Sequence, residues 1–357
     1  MIDFLIIGGG IAGLSAGARL SQHGTVMVLE AEDALGYHAS GRSAALFEES
    51  YGPPSVVALN KAGAAFLHAQ NGGYLTPRGL MLVGAFDQPD VFEADCADLN
   101  MVKIPVDQAI SRVPILNPDK VGFTAVSEAA FDIDTDRLLQ DFARTIRRNG
   151  GAVSTKSKVT SIRKDAHWVV ATGQVFEARN LVNAAGAWVD EIAQLAGLPG
   201  IGITPRRRSM ARLPAPGGHD VSSWPMMLGA GETWYAKPDA GKLLVSPSEA
   251  DPVPPQDAFA DDMVLAEGLA RYEELMTEPV TRVETNWAGL RSFVPDRTLV
   301  LGRDPLDPSF FWSAGQGGYG FQTSPAASQL LCDLIVENTP ELEPDVVAML
   351  KPDRLHR

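Results

Sequence analysis

The stretch that most constrains this chain stands at its start, FLIIGGGIAGLSAG, Phe4 to Gly17. An apolar run stops at three glycines and resumes as small residues and leucine, which predicts a strand, a tight turn and a helix. Gly8, Gly10 and Gly13 match G-x-G-x-x-G in that setting. The first lets the turn close, the second lets backbone approach a pyrophosphate, and the third lets helix pack on strand. The free amides of the helix N-terminus would carry the anion. Gly24 is expected to cap the helix in a left-handed conformation. The strand after it, TVMVLE, is an unbroken apolar run, as parallel strands covered on both faces are. It ends at Glu30, 22 residues beyond Gly8. A carboxylate there can hold both hydroxyls of an adenosine ribose and disfavours a phosphorylated one, where two anions would meet.

A nicotinamide dehydrogenase would complete a second mononucleotide half soon after. Here GYHASGRSAA follows directly. Gly41 and Ser43 read as points where backbone and hydroxyl approach a longer cofactor, FAD, against the alternative of an ordinary surface loop. Acidic residues outnumber basic ones by 44 to 30, a net charge of −14 that repels phosphate backbones and argues against a nucleic-acid partner. No run approaches the ~20 apolar residues of a spanning helix. The N-terminus has no basic lead and is expected to be fold, not a signal peptide. Cys96 and Cys332 form no metal or CxxC spacing and suit a reducing cytosol, with Cys332 expected in core packing.

Farther along, DIDTDRLLQDFARTIRRNGG predicts a helix capped by Asp134, with Leu138, Leu139, Phe142 and Ile146 on one face and Gly150–Gly151 as its stop. WVVAT and NLVNAAGAWV read as strands, the second ending in another glycine turn into a helix. From about residue 77 to 126 there is little periodicity. Residues 205–294 are strand-rich, with a hairpin signal at KPDAGKLLV and an acidic, proline-bearing insertion near 249–263. DRTLVLG, FFWSAGQGGYGFQTSP and a final amphipathic helix return to the glycine-punctuated style. The glycine turns thus fall in three separated blocks, which implies a discontinuous nucleotide domain interleaved with a β-rich second domain.

Several long motifs, in order, resemble one family: GYHASGRSAA, DIDTDRLLQDFARTIRRN, LVNAAGAW, WYAKPDAGKLLVSP, WAGLRSFVPDR and FFWSAGQGGYGFQTS. The chain is similar over nearly its full length to the FAD-dependent amine oxidoreductases of the D-amino acid oxidase, glycine oxidase and sarcosine oxidase family. Within it the motifs look most like those of bacterial D-arginine dehydrogenases. The resemblance implies an α/β plus β-rich fold: a discontinuous Rossmann-like FAD-binding domain at 1–76, 131–200 and 296–357, interleaved with a mostly antiparallel substrate domain at 77–130 and 201–295. It implies non-covalent FAD contacts at Gly8, Gly10, Gly13, Glu30 and Ala31, and at Gly41, Arg42, Ser43 and Ala44. Further contacts are implied at Val159, Gly186, Gly317, Gly318, Tyr319 and Gly320. A helix starting near Phe321 would point its positive end at the flavin and stabilise charge arriving on reduction.

Arg291 lies in apolar WAGLRSF, where a lone guanidinium needs a partner; a substrate carboxylate is a bidentate match, and a structural ion pair is the alternative. By resemblance Arg208 is a second substrate-side arginine, and Tyr51 and Tyr235 flank the carboxylate and amine. Gly318 and Gln322 match the flavin's substrate face. Two departures bear on specificity. Leu46 stands where the D-arginine enzymes have histidine, and Leu80 where they have glutamate. A leucine cannot neutralise a cationic side chain. Glu48 and Glu49 could, but adjacent carboxylates read more readily as a solvated face. The expectation is a neutral or apolar D-amino acid oxidised to a 2-oxo acid and ammonia. The alternatives are a glycine- or sarcosine-type amine oxidase, or a flavin-binding subunit of a larger complex. No general base stands out, and His38 reads as loop structure or flavin contact. Leu243, beside Lys242, stands near the lysine by which sarcosine oxidases promote reaction with oxygen, which favours a quinone acceptor over oxygen. No metal is expected. The expected location is cytoplasmic, free or peripheral on the inner face of the membrane.

Overall fold

The computed structural model describes residues 1–355. Its opening strand, Ile2–Ile7, is apolar on both faces, and Phe4, Leu5, Ile6 and Ile7 are all buried. It therefore takes a central place, parallel to Val26–Leu29 on one side and Val175–Asn183 on the other. Ala152–Ser154 and Phe310–Ala314 extend this parallel core outward. Ser161–Lys164, Trp168–Ala171 and Val300–Arg303 complete eight strands in antiparallel pairings.

The turn after the first strand shows why glycine is needed. Gly8 holds φ +115, and a Cβ on it would lie 2.3 Å from the Ala184 carbonyl oxygen. A Cβ on Gly13 would lie 2.0 Å from the Gly8 carbonyl oxygen, so only a bare Cα lets the helix settle on the strand. That helix, Ile11–Leu20, stops earlier than expected. Its cap is Ser21, and two turn hydrogen bonds, Gln22 N to Arg19 O and His23 N to Leu20 O, end it. Gly24 takes no left-handed conformation; it instead allows close packing, since a Cβ there would sit 2.9 Å from Asp3.

The Thr135–Arg148 helix begins as its sequence predicts, with Asp134 accepting from Arg137 N at 3.1 Å. Leu138, Leu139, Phe142 and Ile146 are buried against the first helix and the parallel sheet. The helix Gly320–Val336 starts one residue before Phe321 and, where an amphipathic final helix is expected, is buried nearly all round with Cys332 in the core; a shorter helix, Pro344–Leu350, follows it.

A second eight-stranded sheet runs in the order Thr285–Phe293, Thr204–Leu213, Lys242–Ser246, Tyr235–Asp239, Met226–Gly229, Leu80–Ala85, Val121–Ser127, Val102–Ile104. All its neighbours are antiparallel except Met226–Gly229 with Leu80–Ala85. The KPDAGKLLV hairpin closes through Ala240 and Gly241, both at positive φ, as a two-residue hairpin turn requires. The aperiodic 77–126 region supplies two of these inner strands and the short edge strand Val102–Ile104. It also holds the helices Pro89–Asp98 and Val106–Arg112. A small third sheet, Leu46–Glu48, Ala130–Ile133 and Leu75–Pro77, anchors the end of the GRSAA loop.

Candidate active site

A cavity of about 530 Å³ lies between the glycine-turn end of the parallel sheet and one face of the large antiparallel sheet. At one end it is walled by Gly8, Gly10, Glu30, Ala31, Val159 and Gly186. Glu30 is buried and fixed by two backbone donors, Gly9 N at 2.7 Å and Glu32 N at 2.9 Å. Gly186, at φ +57, faces open space where a side chain would project. Ser40 Oγ accepts from Ile11 N at 3.0 Å at the start of the first helix. A carboxylate at a strand end, a helix N-terminus and bare glycine backbone together fit the ribose and pyrophosphate of a dinucleotide.

Arg42, Ser43 and Ala44 continue the wall, and Gly317, Gly318 and Gly320 close it. Gly13, Gly41 and Tyr319 stand behind it. Gly13 seats the helix, Gly41 N donates to Gly36 O within the loop, and the Tyr319 ring packs 5.5 Å from that of Tyr51.

The other end of the cavity carries the arginines. Strand pairing sets Arg208 opposite Gly289 and Arg206 opposite Arg291, so the two cavity-facing guanidiniums come from neighbouring strands. Arg291 lies against bare backbone. A Cβ on Gly318 would fall 3.0 Å from its Cζ. It is within hydrogen-bonding reach of Tyr51. Burial pulls the Arg291 guanidinium down, but Tyr235, Tyr51 and Glu232 together carry it above its ordinary value. Arg208 goes the other way. Burial and then the like charge of Arg291 hold it below its ordinary value, although it lies 5.9 Å from the Tyr235 ring centroid. Its Nε is buried without a partner. Among the described residues, neither arginine has an ion-pair partner. Burial raises the Tyr51 phenol and pushes Tyr319 up to about 12, so both are hydroxyl donors near neutrality. Gln322 is buried, lines the cavity, and donates to the Tyr51 carbonyl at 3.2 Å.

A family model for FAD dependent oxidoreductases, DAO, matches residues 3–334. The chain belongs to the DAO family. It is also similar to FAD-dependent oxidoreductase domain-containing protein 1 of Bos taurus, 23% identical over 409 residues, covering 94% of this chain and 81% of that protein. Among solved structures, glycine oxidase from Geobacillus kaustophilus has TM-score 0.81 at 20% identity, with 98% of each chain covered. L-proline dehydrogenase from P. horikoshii has TM-score 0.83 at 19% identity, covering 99% of this chain and 98% of that one. The DAO family is FAD-dependent, so the cofactor of this protein is FAD, and the fold is the mixed α/β architecture with a Rossmann-like domain that these structures share.

Within this DAO-family site some expectations shift. Leu46 and Tyr235 line the cavity, whereas Tyr51 stands just behind its wall and reaches in through Arg291. Leu80 does not line it. It is 4% exposed in the apolar cluster with Leu46, Tyr51 and Tyr235, and supports the wall from behind. Glu48 is no solvated face. It is 5% exposed, burial raises its carboxyl, and its Oε2 is buried without a partner. Lys242 is taken up by Glu284 at 2.8 Å and Leu243 is buried in a separate apolar cluster, so neither reaches the cavity. His38 lines the cavity and pairs with Glu32 at 2.9 Å.

Three residues were not singled out from sequence. Met210, two residues past Arg208 on the same strand face, is a cavity wall. Glu232, exposed and held at φ +52, acts electrostatically on Arg291, Tyr51 and Tyr319. Lys237 is 8% exposed; its ammonium donates to Ala44 O and Ala45 O at 2.7 and 2.9 Å and meets Asp132 at 2.9 Å. The pattern Tyr235-x-Lys237 places Lys237 on the same strand face as Tyr235, the one signal the sequence carried for it.

Proposed function

We propose that this DAO-family enzyme oxidises a D-amino acid with a neutral or apolar side chain to a 2-oxo acid and ammonia. The carrying observation is the unpaired guanidinium couple, Arg208 and Arg291, set in the same cavity as the FAD-binding turn. A substrate carboxylate supplies the missing anion, received bidentately by Arg291 and relieving the like-charge contact with Arg208. Leu46 and Met210 give the rest of the substrate an apolar wall with no counter-ion for a cationic side chain.

When bound, FAD supplies a two-electron hydride acceptor. The chain's own part is positioning. The arginines hold the carboxylate, Tyr51 and Gln322 hold the geometry around it, and Tyr235 offers a hydroxyl beside the amine. Tyr51 keeps its proton, so it is no base, and the substrate ammonium yields its extra proton to water. Loss of the α-hydride then leaves an iminium ion that adds water and releases ammonium. As a consequence, kcat/KM should rise about tenfold per pH unit until the substrate ammonium's own pKa, with no enzyme base adding a second limb.

No helix among the described residues is long and apolar enough to cross a membrane. The test is 2-oxo acid and ammonia production over a panel of D- and L-amino acids with glycine and sarcosine. D-Leu, D-Met or D-Phe should lead. D-Arg or D-Lys ahead by about tenfold would remove the specificity argument, because one unpaired buried charge costs at least that much.

A further inference from the structure

The acidic, proline-bearing insertion near 249–263 has so far no part in binding or chemistry, yet its course is specific. Its first half is zipped onto the start of the Thr204–Leu213 strand: Arg207 N donates to Asp251 O, Val253 N to Pro205 O, and Arg206 to Ala250 O. Its far end is fixed where Asp261 caps the Asp262–Glu273 helix through Met263 N and Val264 N. Between these anchors, Pro252, Pro254 and Pro255 restrict the backbone, and the segment crosses to the cofactor loop.

It meets that loop around Asp257 and Ala258. Arg42, whose side chain is 16% exposed, donates to Ala258 O and Ala288 O, both at 2.9 Å, and pairs with the Asp257 carboxylate. Asp257 also meets Tyr37, whose hydroxyl lies 3.4 Å away, and His38, whose Nδ1 lies 4.0 Å away. Tyr37, His38 and Arg42 all line the FAD cavity from its other side. Ala258 is buried against Ala187, Ala288 and Trp188. Arg42 holds the Asp257 carboxyl below its ordinary range, as a lasting ion pair would.

We propose that Asp257 is a cofactor-retaining residue: the 250–261 strap uses it to latch the Tyr37–Arg42 wall of the FAD cleft, and opening this latch limits FAD release. Asp257 does not face the cavity. It acts on the cofactor through three side chains that do, and is a positioning residue in that sense. The inference rests on FAD binding alone and is independent of which amine the enzyme oxidises.

The test follows the return of flavin fluorescence after the holoprotein is diluted into buffer, with no substrate present. Asp257→Asn should release FAD about fivefold faster, the scale of one part-exposed ion pair. Asp257→Glu keeps the charge and should restore the rate to within about twofold of the parent. The apoproteins should unfold within about 2 °C of one another, since a part-exposed ion pair contributes little to stability. A rate in Asp257→Asn within about twofold of the parent would overturn the latch. So would failure of Asp257→Asn apoprotein to fold, which would make the residue part of the scaffold.

Discussion

Arg208 makes opposite demands on stability and binding, which separates a functional residue from a structural one. Its guanidinium sits on a strand facing a second arginine, its Nε has no partner, and burial and Arg291 together hold it below its ordinary pKa. The fold therefore favours its charge less than water does. Replacing it with a side chain of similar length and no charge, Arg208→Met, removes a desolvated cation and a like-charge contact. Such exchanges stabilise by about 1–2 kcal/mol, which in a chain of this size is a rise of about 1–3 °C in the apoprotein's unfolding midpoint. Binding should move the other way. A charged hydrogen bond to the substrate carboxylate contributes about 1.5–3 kcal/mol, so kcat/KM should fall about 10- to 150-fold. Arg291→Met is the contrast. Its environment favours the charge, so that variant should lose activity without gaining stability. Thermal unfolding of the apoproteins and steady-state kinetics on D-Leu read the two effects separately. A destabilised Arg208→Met apoprotein with unchanged kcat/KM would refute the reasoning and return Arg208 to the scaffold.

Three further outcomes are expected. Gly13→Ala places a methyl 2.0 Å from the Gly8 carbonyl oxygen, so the helix must lift off the strand at a cost of about 1–3 kcal/mol; the purified protein should carry little flavin, read from its visible absorbance. Glu48 has a folded pKa above its ordinary 4.5, so its contribution is fully present below that value and lost as pH rises through the folded one. Glu48→Gln should therefore gain stability relative to the parent at about pH 7.5 and show no such gain at about pH 4, by thermal unfolding at both. Glu232→Gln removes the exposed carboxylate that acts on Arg291. It should raise kcat/KM for D-Asp relative to D-Leu by about threefold, a modest factor because the group is exposed.

Much of the cofactor half was legible because its signals are local. Gly8, Gly10 and Gly13 are fixed by contacts within one βαβ unit, Asp134 caps the helix it precedes, and Ala240–Gly241 makes a two-residue turn. Gly24 misled because a glycine needed for close packing against Asp3 looks the same in sequence as one needed for a left-handed cap. Residues 80–127 were opaque because their strands are short and find partners far away: Leu80–Ala85 pairs with Met226–Gly229, a contact no periodicity announces. The same holds for the site. Arg291 stood out as a cation in an apolar run. Lys237 and Asp257 act on the GRSAA loop from some 190 to 215 residues away, and Glu232 acts on Arg291 from a turn that no motif marks. Its position in the motif marks Leu80 as a specificity residue, but the pleat turns it into the core behind Leu46.

The central claim is that the Arg208–Arg291 couple and the apolar wall orient a D-amino acid for loss of its α-hydride. It is tested most directly by anaerobic flavin bleaching of the purified holoprotein with D-Leu, L-Leu, glycine and D-Arg in parallel. Rapid bleaching by D-Leu, with the other three slower by about tenfold or more, is the predicted result. Bleaching by L-Leu or D-Arg at the rate of D-Leu, or by none of the four, would contradict it.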